Sequence, residues 1–416
     1  MAAFQRDHVD TLVSRLAEPP HFIIALFGPR QTGKTTIVRQ ALRRLDRPSH
    51  YLAVDEPDPP VPGIRGIAPE VTFRRPQVRD TEWLVVNWEH ARREADRSPN
   101  GLVLVLDEIQ KIPQWSETVK GLWDADRAAD RPLHAVILGS APLLMQSGLT
   151  ESLAGRFEPI QVTHWSFLEV ADAFGLDLPG FLYFGGYPGS ASMVRDPAQW
   201  RDYILHALVA PNIERDLLAM TRVDKPALLK RLFAMGASCS GQILSYTKML
   251  GQLQDAGNTT TLARYIDLLE KAGLLAGLPK YTSRPHRRGS SPKLTVLNTA
   301  LMTAGSGYAF EEARADRTFW GRIVESAVGA HLLNTATSDI RVYYWRDGQH
   351  EVDFVLRRGP RLVGIEVKSG PRRGSLSGLQ GFAERFGPQR TLVVGEGGVP
   401  LNEFLAASAG DWCEEA

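Results

Sequence analysis

The sequence predicts an α/β protein of three units in series: a parallel-sheet domain over residues 1–175, a mainly helical unit over 176–300, and a second, smaller α/β domain over 301–416. Three observations predict it. Short, strongly apolar runs in the first part are each followed by loop chemistry and then by helical periodicity, the pattern of strands buried on both faces of a parallel sheet. The pattern turns helical after about residue 176, and strand-like runs alternating with helices return after about residue 301. A length of 416 residues suits two or three domains of roughly 150 residues each.

In the first unit the apolar runs are HFIIALF (21–27), GLVLVLDE (101–108) and HAVILGS (134–140). Between the first two lies the proline-rich DEPDPPVPGIRG, which suits an insertion or long loop because proline cannot donate to a strand ladder. In the second unit TLARYIDLLEKAGLL sets Leu262, Ile266, Leu269 and Ala272 on one helix face, with Gly273 as the stop. LSYTKMLGQL and a DAGN turn precede it, and two strand-like stretches, LLAGLPKY and KLTVLN, follow. That order resembles a winged helix-turn-helix. The third unit carries strand-like YYWR, HEVDFVLRR, LVGIEVKS and TLVVGE.

Bulk composition narrows the classes. The 48 Lys+Arg against 47 Asp+Glu leave a net charge of +1, so any contact with a polyanion must be local. Apolar content of 43% excludes wholesale disorder. Cys239 and Cys413 are too few for a disulfide framework and fit a reducing compartment. The first twenty residues mix acids and bases where a signal peptide needs an apolar stretch, and no run approaches the ~18 apolar residues of a membrane span. The expectation is a cytoplasmic protein with no membrane partner. The histidines show no HExxH spacing and GxSxG is absent, so zinc-hydrolase and serine-hydrolase chemistries lack support.

The strongest motif is GPRQTGKT at 28–35, which satisfies GxxxxGK[ST] between an apolar strand and the helical TTIVRQALRRL. The backbone of Gly28, Pro29, Arg30, Gln31, Thr32, Gly33, Lys34, Thr35 and Thr36 would wrap phosphate oxygens at a helix N-terminus. Lys34 would reach the β and γ phosphates of ATP, and Thr35 would ligate Mg²⁺. LVLVLDE then brings Asp107 and Glu108 to the C-terminal end of a buried strand, where open α/β sheets bind ligands. Asp107 would hold Mg²⁺ through water, and Glu108 would orient or deprotonate the attacking water. Ser140, ending the third run, either reaches the γ phosphate or is a turn residue. Arg156, one helix further on, is a surface arginine or a guanidinium that stabilises charge at its own or a neighbouring subunit's ATP.

Two further clusters carry chemistry. Arg284, His286, Arg287, Arg288 and Lys293 fall within ten residues without an acid. They form either a wing along DNA phosphates, with Thr259, Thr260, Thr261 and Arg264 at the groove, or a solvated loop in a protein-binding unit. In HEVDFVLRR strict alternation puts Val352 and Phe354 on one face and Glu351, Asp353 and Val355 on the other. The RRGPRL turn predicts a hairpin that brings Glu366 and Lys368 of GIEVKS alongside. Asp353 and Glu366 would hold Mg²⁺ and Lys368 would supply charge for phosphodiester hydrolysis, or the alternating charges mark a solvated strand face. Trp345, beside Tyr343 and Tyr344, stacks on a base or belongs to the core.

FGPRQTGKTT, LVLDEIQKIPQWSETVKGLWD, ILGSAP, LAGRFEPIQV, FGGYP (184–188), YWRDGQHEVDFVL and GIEVKSG together resemble the AAA-like ATPases of bacteria and archaea whose C-terminal half belongs to the PD-(D/E)XK nuclease-like group. The resemblance spans almost the whole chain in order. It implies an AAA-like P-loop domain, a winged-helix-like unit and a restriction-endonuclease-like domain. It further implies nucleotide chemistry at Gly33, Lys34, Thr35, Asp107 and Glu108, Ser140 as sensor, Arg156 as a finger in trans within a homo-oligomer, and Glu325 as a further acid beside Asp353, Glu366 and Lys368. Ala141 and Asn298 depart from the family, which commonly has a second hydroxyl and an acid there. The expected function is an Mg²⁺-dependent ATPase that moves or gates a C-terminal DNA-binding or DNA-cleaving module. The alternative is a nucleotide-dependent switch or scaffold that holds a protein partner, with an inactive nuclease-like domain.

Overall fold

The computed structural model describes residues 4–55, 78–139, 149, 152–217, 223, 225–254, 257–283, 290–370 and 376–414. The chain forms two compact units. The first comprises Gln5–Gly28 and Gly33–Val162; the second comprises Phe4, Pro29–Thr32 and the chain from Thr163 onward. The proline-rich stretch lies almost wholly outside the described residues.

In the first unit, five parallel strands among the described residues form one sheet: β1 (Ile23–Phe27), β2 (Ser49–Ala53), β3 (Leu102–Asp107), β4 (Leu133–Gly139) and β5 (Phe157–Gln161). Their order is β2-β3-β4-β1-β5. Helices α1 (His8–Ala17) and α2 (Lys34–Arg44) cover one face, and α3 (Thr81–Ala95) and α4 (Trp115–Ala128) the other. Alternate residues of β3 therefore enter two cores: Val103 and Val105 join Leu12, Ile37 and Val38, whereas Leu104 and Leu106 join Trp88, Val119 and Trp123. That double burial is why the central strands are continuous apolar runs. Within the α3–α4 layer the fully buried Asp126 accepts from Trp88 Nε1 (2.7 Å), Arg92 Nε (2.6 Å) and Arg131 Nη1 (2.8 Å).

In the second unit, helices α5 (Pro226–Ser238), α6 (Tyr246–Gln252) and α7 (Thr259–Lys271) precede an antiparallel pair, β6 (Leu275–Leu278) and β7 (Lys293–Val296). Asn258 caps α7 by accepting from the Thr261 amide (2.8 Å). Leu262, Ile266, Leu269 and Ala272 are all buried, as the periodicity predicts. The departure at Asn298 has a packing role: its Oδ1 accepts from the Gly186 (3.3 Å) and Ala300 (3.1 Å) amides, which ties LNTA to FGGYP.

A second sheet follows, ordered β11-β10-β9-β8, from β8 (Ile340–Asp347), β9 (His350–Arg358), β10 (Arg361–Lys368) and β11 (Arg390–Gly395). β10 and β11 are parallel, and the other pairs are antiparallel. Helix α8 (Arg317–Thr335) lies on one face and α9 (Ser377–Phe386) on the other. Strict alternation fails in β9. Trp345 pairs Val352 and Tyr343 pairs Val355, so two residues of β9, Asp353 and Phe354, oppose one of β8, Tyr344, in a bulge. The extra residue puts Val352 and Val355 in the α9 core, with Phe354 and Leu356 in the α8 core. Trp345 is 3% exposed against Phe382, a core residue and not a base-stacking platform.

Among the described residues, no helix is long and apolar enough to cross a membrane.

Candidate functional site

The loop from Gly28 joins the C-terminal end of β1 to the N-terminus of α2, whose first residue is Lys34. Gly28 sits against the chain leaving β5, and a Cβ there would stand 1.9 Å from the Val162 carbonyl oxygen. Gly33 has φ +91, a left-handed turn that glycine adopts without strain and that points the following amides along the helix start. Lys34 is buried, and its Nζ donates to the Gly28 carbonyl (2.9 Å), which draws the ammonium back to the start of the loop. Pro29–Thr32 belong to the second unit, where Thr32 Oγ1 donates to the Pro29 carbonyl (3.0 Å) and Trp165 Nε1 donates to the Thr32 carbonyl (3.0 Å).

Asp107 ends β3, two strands from β1, and Thr35 Oγ1 donates to its Oδ2 (3.1 Å). A hydroxyl and a carboxylate in hydrogen-bond contact at a helix N-terminus suit a hard divalent cation, which takes oxygen donors. Tyr51, on β2, donates its phenol to the same Asp107 oxygen. Burial, reinforced by the Asp107 carboxylate, holds that phenol above its usual range. Motif spacing gave no sign of Tyr51; only the pairing of Ala53 with Asp107, two residues on along β2, brings it to the site.

Glu108 follows with φ +56 and ψ +34, a left-handed conformation that costs a non-glycine residue about 1–2 kcal/mol. The turn ends β3 at the C-terminal edge of the parallel sheet, the edge at which the loop from Gly28 leaves β1. Gln110 Nε2 donates to Glu108 Oε2 (2.8 Å). Arg156 lies elsewhere: it immediately precedes β5, and its carbonyl accepts from Ile23, the first residue of β1. It therefore stands at the opposite end of the parallel sheet from Gly28 and Asp107, and it forms a bidentate pair with Asp124 (2.7 and 3.0 Å). Ser140 lies outside the described residues, as do Arg284, His286, Arg287 and Arg288.

The C-terminal cluster is built from α8, β7, β9 and β10. Lys293, expected in the basic loop, is instead fully buried at the start of β7. Its Nζ lies 2.5 Å from Glu325 Oε1, 3.2 Å from Asp353 Oδ1 and 3.9 Å from Glu351 Oε1. It also donates to the Asp353 carbonyl (3.2 Å) and sits 4.9 Å from the centre of the Phe354 ring. Asp353 Oδ2 accepts from the Val367 amide (2.8 Å), and Lys368 Nζ pairs with Glu366 Oε1 (2.5 Å). The bulge is what lets Asp353 reach Lys293 beside its neighbour Phe354. Burial opposes the Lys293 charge, but the Asp353 and Glu325 carboxylates outweigh it and hold its pKa above the usual lysine value. Burial pushes the Glu325 and Glu366 carboxyls up. The structure thus groups Glu325 and Asp353 around Lys293, a residue motif analysis assigned elsewhere. Its only sequence signal is a lysine opening the apolar strand KLTV.

Residues 20–171 match the AAA domain, and residues 176–311 and 320–405 match two domains of unknown function, DUF8612 and DUF4143. The chain is 28% identical over 421 residues to the uncharacterized proteins Mb2031c of Mycobacterium bovis and Rv2008c of Mycobacterium tuberculosis, covering 98% of this chain and 84% of each relative. Similar solved structures include the Walker-type ATPase PABY2304 of Pyrococcus abyssi (TM-score 0.42, 14% identity, 72% of this chain and 95% of that one). The RuvB Holliday junction branch migration motor of Thermotoga maritima is another (TM-score 0.32, 16% identity, 66% and 90%). With the loop, strand and helix geometry above, the N-terminal match identifies residues 20–171 as an AAA-like P-loop nucleotide-binding domain.

Proposed function

We propose that this protein is an Mg²⁺-dependent ATPase whose nucleotide cycle drives a C-terminal DNA-handling module. The observation that carries the ATPase assignment is the Thr35–Asp107 contact at 3.1 Å, at the head of a helix that begins with Lys34. Lys34 leaves the Gly28 carbonyl for the β and γ phosphates, and the loop amides bind the remaining oxygens. Thr35, and Asp107 through water, would hold Mg²⁺, whose charge would offset that of the phosphoryl group. Glu108 orients water for in-line attack. Because Arg156 is at the far end of its own sheet, its finger role requires a neighbouring copy in a homo-oligomer.

For the DNA arm, α6, the turn after it, α7 and the β6–β7 pair follow the order of a winged helix-turn-helix. Arg284, Arg287 and Arg288 fall between β6 and β7, where a wing would carry them. The second sheet with α8 is read as restriction-endonuclease-like. The test is phosphate release with and without Mg²⁺, and DNA affinity at several salt concentrations with ATP or ADP present. Loss of turnover in Lys34→Ala and weaker, less salt-sensitive DNA binding in Arg287→Glu/Arg288→Glu support the proposal; unchanged values in either variant refute the corresponding arm.

A second reading has a specific observation behind it. The ammonium of Lys293 among the carboxylates favours a switch or scaffold that holds its partner without cleaving it.

A further inference from the structure

We propose that Lys293 is the resident cation of the C-terminal carboxylate site, so that this module takes no divalent metal there and does not cleave phosphodiesters. The inference sharpens the second reading of the C-terminal module and is independent of ATP hydrolysis at the P-loop. A hydrolytic metal needs carboxylate oxygens that converge on a vacant position with room for water. Here each candidate already faces a protein cation within 4 Å: Glu325 and Asp353 face Lys293, Glu351 faces Lys293 (3.9 Å) and Arg346 (3.8 Å), and Glu366 faces Lys368. The second oxygen of Asp353 is taken by the Val367 amide.

Moving the ammonium aside is costly because its backbone is pinned. Lys293 is paired in register with Leu278, and the residues on either side are held by Leu244 N to Pro292 O (3.0 Å) and Leu294 N to Gln242 O (3.0 Å). A displaced, fully buried ammonium would also lose its partners without reaching water. Among the described residues, Glu325, Asp353 and Glu366 do not form a set whose ligand atoms lie within 4.8 Å of one another. The cluster instead works as a charge staple that joins β7, α8 and β9.

The test uses the full chain without nucleotide, carrying Asp107→Asn to remove the P-loop cation ligand, and titrates Mn²⁺ alone by electron paramagnetic resonance. The isotherm is expected to be the same after adding Asp353→Asn or Glu366→Gln. Loss of one bound Mn²⁺ on either addition would overturn the proposal. Lys293→Met is expected to gain one Mn²⁺ site that Asp353→Asn removes; if that variant does not fold, the first comparison still decides.

A separate observation in the first unit carries a second inference. His90 and Glu94 are one turn apart on α3, and His50 on β2 faces them. His50 Nε2 lies 2.6 Å from one Glu94 oxygen and His90 Nε2 lies 3.2 Å from the other, with the two imidazoles parallel at 5.1 Å. The geometry points to a surface site for a borderline divalent metal of the Zn²⁺ or Co²⁺ type. Two imidazoles and one carboxylate are the donor set of open zinc sites, and these three ligand atoms already lie within 4.8 Å of one another. In the same Asp107→Asn background without nucleotide, Co²⁺ titrated alone should bind one equivalent with visible ligand-field absorption and give way to Zn²⁺, and that equivalent should be lost on adding His90→Ala. Absent saturation, or saturation unaffected by His90→Ala, overturns it.

Discussion

Lys293 Nζ stands 2.5 Å from Glu325 Oε1, in a position with no solvent exposure. Removing one partner of a buried pair leaves the other charged and unpaired, at a cost of roughly 3–5 kcal/mol. Lys293→Met should therefore lower stability to denaturant by about that amount. Adding Glu325→Gln should restore part of the loss, because the double change removes both charges. Additive losses in the double variant would contradict the coupling.

Asp126 offers a parallel case in the first unit. It is fully buried and accepts three hydrogen bonds, two of them from guanidinium groups. Asp126→Ala should cost about 3–5 kcal/mol in chemical denaturation. A loss below about 1 kcal/mol, the scale of an exposed pair, would show that the network contributes little.

His134 sets a pH dependence. Burial lowers its pKa to about 4, against a backbone hydrogen bond to Glu18 that raises it. The neutral ring fits its surroundings: Nε2–H donates to the Glu18 carbonyl (2.8 Å), and Nδ1 accepts from Arg47 Nη1 (2.8 Å). Above pH ~6.5 the ring is neutral both folded and unfolded, and its contribution is fully present. As pH falls from there towards 4 the unfolded chain takes up a proton that the folded chain does not, so stability declines by up to about 3 kcal/mol. Denaturant midpoints across that window should show a steeper fall in the wild type than in His134→Phe; equal slopes would refute the assignment.

Glu108→Gln should bind ATP with unchanged affinity while hydrolysing it about 10²-fold or more slowly, the range of a lost general base. Fluorescent-nucleotide binding measured beside turnover separates the two effects. Unchanged turnover would remove Glu108 from the mechanism.

The sequence made the central strands legible because β1, β3 and β4 are covered on both faces and so carry unbroken apolar runs. The edge strands β2 and β5 escaped: SHYLA carries a histidine and a tyrosine, and FEPIQ holds a proline, which an edge tolerates. The P-loop was readable because its chemistry is local, four residues between two glycines with a lysine directly after the second. The C-terminal cluster was only half readable. Asp353, Glu366 and Lys368 sit on a hairpin whose pattern is local, but the bulge that aims Asp353 reverses the faces predicted by alternation. Lys293 comes from 60 residues earlier in the chain, and only the packing of β7 against α8 and β9 reveals it.

The central claim is nucleotide hydrolysis at the Thr35–Asp107 contact, and its most direct test is steady-state phosphate release from ATP by the full chain across a Mg²⁺ titration. Wild type should show turnover that saturates with Mg²⁺ and vanishes with chelator, and Asp107→Asn and Lys34→Ala should each fall by about 10²-fold or more. Turnover that survives chelation, or that persists in Asp107→Asn, would contradict the account.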